Sequence, residues 1–128
     1  VGQRVNTSYA WKTLAESGAL VVSGSDCPVE PLDALKNLYC AVARQDFAGV
    51  PEGGWRPEEK LTMQQALTLC TENLAVLEDK QQTRGTLSVG KQADFVMVDH
   101  DLLAVSPKEL LDTNVCMTAV QGEITYRA

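Results

Sequence analysis

The chain has 128 residues, 45% hydrophobic and 22% charged, which suits one ordinary domain with a buried core and excludes the profile of a disordered segment. Seventeen acids against 11 bases give a net charge of −6, so the charge of the whole chain favours neither nucleic acid nor an anionic membrane as a partner. No run approaches the roughly 20 apolar residues needed to span a bilayer, and the N-terminus lacks the basic-then-apolar layout of a signal peptide.

Between Ser8 and Ser17 the residues Tyr9, Trp11, Leu14 and Ala15 form an irregular helical stripe, with Gly18 where a helix would stop. Ala19-Leu20-Val21-Val22-Ser23-Gly24 is short and almost continuously apolar, the pattern of a parallel-sheet strand covered on both faces. After Ser25-Asp26-Cys27-Pro28, Pro31 suits a first helical turn, and Leu35, Leu38, Tyr39 and Val42 recur at spacings of three and four. Glycines, prolines and charges then replace periodicity from Asp46 to Lys60, a loop of about 15 residues, long enough to suggest function rather than mere connection. Thr62-Met63-Gln64-Gln65 has the form of a capping box. Met63, Ala66, Leu67, Cys70, Leu74 and Leu77 continue from it as one helical stripe. From Gly85 the character changes. Ala93 to Asp99 reads as a strand, Pro107 to Leu111 as a short helix, and Val115 to Val120 with Ile124 to Tyr126 as a hairpin around Gln121-Gly122-Glu123.

Chemistry concentrates at the end of the first predicted strand. A buried strand running into Gly24, Ser25 and Asp26 delivers a carboxylate to the carboxyl end of the sheet, where ligands collect in α/β barrels and open α/β sheets alike. Pro28 biases Cys27 toward an extended backbone, holding the loop away from an immediate helical turn. An aspartate so placed can ligate a metal or act as a general base; equally, it can cap the following helix or satisfy loop amides. Position alone leaves both readings open.

Motif order favours the first. Tyr9-Ala10-Trp11, Gly24-Ser25-Asp26-Cys27-Pro28-Val29-Glu30-Pro31, Leu61-Thr62-Met63-Gln64-Gln65-Ala66-Leu67, Gly85-Thr86-Leu87 and Gly90-Lys91-Gln92-Ala93-Asp94-Phe95-Val96 occur in one order along nearly the whole chain. Together they resemble the C-terminal third of the metal-dependent amidohydrolase superfamily, most closely its YtcJ-like branch. The resemblance implies an α/β fragment. Residues 1–84 would hold the last strand (Ala19 to Ser23) and flanking helices of a (β/α)8 barrel, and residues 85–128 the C-terminal strands of a small β-sandwich. It implies hydrolysis of carbon–nitrogen bonds other than peptide bonds in a small amide-like substrate, by water on a divalent metal, with zinc the expected ion. Asp26 then matches the aspartate that ligates or faces the metal, takes a proton from the attacking water and passes it to the leaving group. The remaining ligands belong to earlier strands that this chain lacks, so the isolated chain is expected to bind no metal and to be inactive.

Other signals are weaker. His100, the single histidine, lies in Asp99-His100-Asp101, where a turn is a better reading than a metal site because adjacent residues on an extended chain point to opposite faces. Gly85 to Lys91 satisfies seven positions of a phosphate-binding loop, but Gln92 replaces the hydroxyl that would hold magnesium, and a strand follows instead of a helix. Gly85 and Gly90 are therefore read as turn residues. Cys27 has no neighbouring base and is read as inert. Cys40 and Cys70 lie among apolar neighbours as small reduced hydrophobes, and with no C-x-x-C pair among the four cysteines a reducing, cytoplasmic compartment is expected. Arg44 and Trp55 could touch substrate, but a solvated helix end and a loop anchor are the simpler readings.

The rival to an enzyme fragment is a non-catalytic binding or oligomerisation module derived from the same fold. A lone barrel strand exposes its edges, and its helices expose apolar faces, so a homo-oligomer or domain-swapped dimer is expected.

Overall fold

The computed structural model describes residues 2–128, and its elements follow the hydrophobic pattern closely at the helices and in the C-terminal third. The helix predicted between Ser8 and Ser17 forms as the shorter α1, Trp11–Glu16; an unpredicted 3-10 helix at Gly2–Thr7 precedes it, with Tyr9 between the two at φ +52°. Gly18 ends α1 as predicted, at φ +86°, a conformation that costs glycine nothing.

The next expectation fails. Residues 19–24 form no strand, and no parallel sheet is present among the described residues. Instead, Ser23 N–H donates to the Leu69 carbonyl and the Val21 carbonyl accepts from Asn73 Nδ2. A strand exists only as part of a ladder, and this chain supplies no neighbour for it. The run lies against helices on one side, with Leu20 47% exposed, rather than covered on both faces.

Helix α2, Ala34–Ala43, begins three residues later than Pro31 suggested. Asp33 is its N-cap and accepts from the Lys36 amide, so the cap rather than the proline sets the start. Arg44 closes the helix in the left-handed region at φ +54°. The capping box at Thr62 and Gln65 forms with both reciprocal bonds, but the helix it opens is interrupted. α3, Met63–Cys70, and α4, Glu72–Leu77, meet at Thr71, whose φ of −126° and ψ of −79° leave the helical region. Cys70 Sγ and Thr71 Oγ1 bond back to the carbonyls of Ala66 and Leu67, a competition with the helical ladder that bends helices.

The C-terminal region is a three-stranded antiparallel sheet in the order β1 (Phe95–Val98), β2 (Val115–Val120), β3 (Glu123–Arg127). The β2–β3 turn is Gln121-Gly122, both at positive φ, which matches the twist of the flanking strands; Glu123 already belongs to β3. A 3-10 helix at Pro107–Asp112 packs on α2 and inserts Leu110, fully buried, among Leu38, Tyr39, Val42, Ala43, Leu61, Ala66 and Leu69. That cluster is the core.

Candidate functional site

Asp26 lies at the far end of the 19–25 run, exposed, at φ +53°, with its carbonyl accepting from the Val29 amide to close a turn. Aspartate tolerates the left-handed region better than most residues. Among the described residues nothing donates to its carboxylate, and the helix that it could have capped is capped by Asp33. The run leading to it, Val21 to Ser25, forms one wall of a half-open cleft of about 660 Å³, opposite apolar side chains of α2 and α3 such as Leu38, Ala66 and Leu69. Cys40 and Cys70 also line this cleft, and burial pushes both thiols up, which keeps them protonated and unreactive. All four cysteines are free.

Among the described residues no three His, Cys, Asp or Glu side chains come together, and a zinc-like site needs at least three protein ligands. His100 does not approach Asp26's role. Its Nδ1 lies 2.7 Å from Asp99 in an exposed bend, where Asp99 also accepts from the backbone and side-chain amides of Asn114. These three contacts, the Asn114 backbone N–H first, hold the Asp99 carboxyl down at about 2. The glycine-rich run is likewise an exposed turn: Gly85 and Gly90 have φ of +93° and +92°, and Lys91 N–H donates to Ser88.

Sequence reading missed the most heavily bonded cluster in the molecule. Arg44, expected at a solvated helix end, is only 6% exposed. Its guanidinium carbon lies 4.7 Å from the Trp11 ring centre and 5.1 Å from that of Trp55, a cation between two π faces. Nε donates to the Trp55 carbonyl at 2.7 Å and Nη1 to the Tyr9 carbonyl at 3.1 Å, while Trp55 N–H donates back to the Arg44 carbonyl. Burial works against the charge of Arg44, and the negative charge of Glu59 opposes that effect.

Trp55 is a loop anchor, as expected, but the anchoring reaches further. Arg56 donates to the carbonyls of Val5 and Ser8, and buried Glu59 accepts from the Thr13 amide at 3.0 Å and the Thr13 hydroxyl at 2.5 Å. The position before α1 is Ala10, which has no capping side chain, so Glu59 supplies from a distance the anion that the helix N-terminus attracts. The Thr13 hydroxyl, then its amide, holds the Glu59 carboxyl below its usual range. The 46–60 loop is therefore a clamp on residues 5–13. Its long-range partners are ordinary Thr, Tyr and Trp residues at no fixed spacing, so no sequence signal could have revealed it.

The Amidohydrolase family model matches residues 2–126. The chain is 34% identical over 123 residues to "Putative amidohydrolase YtcJ" of Bacillus subtilis, covering 96% of this chain and 23% of that protein. It is 29% identical over 115 residues to N-substituted formamide deformylase of Arthrobacter pascens, covering 90% of this chain and 21% of that protein. Protein LONG AFTER FAR-RED 3 of Arabidopsis thaliana is 30% identical over 125 residues, with 95% and 20% covered. The crystal structure of an amidohydrolase from Thermotoga maritima MSB8 superposes with a TM-score of 0.64 at 20% identity, over 94% of this chain and 26% of that one, and so shares its fold in this region. The chain thus spans about a fifth to a quarter of the length of the curated relatives it matches. With a family match running from residue 2 to residue 126, this chain belongs to the amidohydrolase family.

Proposed function

We propose that the chain is the C-terminal portion of a metal-dependent amidohydrolase acting on carbon–nitrogen bonds other than peptide bonds, and that it is inactive alone. The observation that carries this reading is Asp26: its carboxylate accepts no hydrogen bond among the described residues, one position beyond the run Val21 to Ser25 that lines the cleft, while Asp33 performs the capping that would have explained an aspartate here. The formamide deformylase among the relatives favours a carbon–nitrogen bond as the target. In this reading residues 1–84 complete a barrel, residues 85–128 complete a sandwich, and the parent works in the cytoplasm on a small amide-like molecule.

The donor set of the described residues does not fit a metal, since no three His, Cys, Asp or Glu side chains come together among them, at Asp26 or elsewhere. The ion, zinc by our assignment, belongs to residues outside the chain, which also supply the rest of the site. What Asp26 contributes is proton transfer: its carboxylate accepts a proton from the attacking water and returns it to the departing nitrogen, turning a poor leaving group into a neutral amine. In the full-length protein Asp26→Asn keeps shape and loses basicity. Steady-state assays should show a fall in kcat of about two to four orders of magnitude, and undiminished activity would sink the assignment.

A second reading, a binding or oligomerisation module without catalysis, is favoured by the missing ligand set. Upstream coding sequence separates the two cheaply: an H-x-H pair and further strand-end histidines support the enzyme, and their absence supports the module.

A further inference from the structure

Arg44 is almost fully buried, yet no carboxylate among the described residues lies within ion-pair distance of it. Glu59 is occupied by Thr13 and Arg56, and Asp46 spends Oδ1 on the amides of Ala48 and Val50. Of the five N–H donors of a guanidinium, Nε and one on Nη1 are used on backbone carbonyls, and the rest have no acceptor among the described residues. These leftover N–H groups are not sealed from solvent, since the buried side-chain atom without a partner among the described residues is Gln81 Oε1, so they are open to a ligand. Beside Arg44 a shallow cavity of about 360 Å³ opens, walled mainly by Tyr9, Trp11, Val50, Pro51 and Trp55, with Gln45 and the carboxylate of Asp46, whose Oδ1 is held by backbone amides, also on its lining.

Chemistry narrows the occupant. The Trp11 and Trp55 rings lie 4.7 and 5.1 Å from the guanidinium carbon, and the N–H groups left over on Nη1 and Nη2 form the free edge; the planar acceptor that matches two such N–H groups is a carboxylate. The walls are aromatic and apolar, which suits a flat apolar body stacked or edge-on against them. Tyr9 is 66% exposed and Trp55 38%, so both rings have surface left to offer. We propose that this cavity is a binding site for a small aromatic carboxylate, its carboxylate on the free edge of Arg44 and its ring against Tyr9 and Trp55. Asp26 does not line the cavity, and the site stands independently of the hydrolytic reading.

Both tryptophans of the chain, Trp11 and Trp55, sit at this site, so intrinsic fluorescence reports on it directly. Benzoate titrated into the 128-residue chain at constant ionic strength should give a saturable change, with a Kd on the order of 1 mM for one charge-assisted contact and one ring. Benzamide, the neutral isostere, should bind about tenfold more weakly or worse, and acetate should bind more weakly than benzoate. Arg44→Lys keeps the charge without the planar edge and should weaken benzoate about tenfold. Val50→Phe, at an exposed position on the wall, fills the mouth without touching the bonds of Arg44; it should abolish the response with the circular dichroism unchanged. The Val50 variant carries the test if Arg44→Lys does not fold. Absence of a saturable benzoate response, equal responses to benzamide or acetate, or a folded Val50→Phe that binds like wild type would each overturn the proposal.

Discussion

At the scale of single residues, three acids of similar sequence context have three different fates. Asp33 caps a helix, Asp99 ties β1 to the residue before β2, and Asp26 is left free in a left-handed turn. Asp99 makes a pH prediction. Its carboxyl is depressed from 3.8 to about 2, so its contribution to stability is complete above the unfolded value and is lost as pH falls from about 3.8 toward 2. Carboxyl-carbon NMR of the folded chain should show Asp99 titrating near 2. Asn114→Ala, which removes the side-chain amide but keeps the backbone N–H, should move that midpoint part of the way up. A midpoint unmoved by the substitution would refute the assigned cause. Arg44 teaches the complementary lesson: a basic residue at a helix end looks solvated in sequence, yet two tryptophans distant from each other in the chain enclose it.

At the scale of elements, local signals held where a bond partner is within a few residues. The capping box of α3, the glycine stop of α1 and the positive-φ turn of the β2–β3 hairpin are all such cases. Continuity of the helix past Thr71 was misread because the apolar stripe does continue through it; the break comes from side chains bonding back to the preceding turn. Gly85 sits against that break. A Cβ placed on it would lie 2.7 Å from the Ala75 methyl and 3.3 Å from the Glu72 Cα, whereas a Cβ on Gly90, at nearly the same φ, would meet nothing within 4 Å. Both Gly→Ala changes incur backbone strain, but only the first adds a clash. Urea denaturation should therefore show Gly85→Ala destabilised by about 1–3 kcal/mol more than Gly90→Ala, and equal losses would remove the packing argument.

At the scale of the whole molecule, the chain carries surface that a finished domain would cover. Leu20, Val29, Leu32, Val96, Ile124 and Tyr126 are all about half exposed or more, and the three-stranded sheet has two open edges. The backbone of residues 19–24 has few partners of its own. Such surfaces pair with whatever copy is available, so the isolated chain should self-associate and bind an apolar dye. Light scattering that found a dye-negative monomer across a wide concentration range would contradict this. No helix among the described residues is long and apolar enough to cross a membrane.

Sequence by itself was sufficient for the family, the order of motifs, the capping box of α3, the glycine stop of α1 and the C-terminal sheet, because each depends on residues close together or on a linear pattern. Asp26 stands out in the sequence as the end of a strand that does not form among the described residues, and its role is a proposal. Tertiary structure alone decided the rest. Residues 19–24 have the apolar pattern of a strand but form none, because among the described residues no other segment pairs with them in a ladder. The clamp by Arg44, Trp55, Arg56 and Glu59 joins residues 33 to 51 positions apart, through backbone carbonyls and π faces that carry no mark in the sequence.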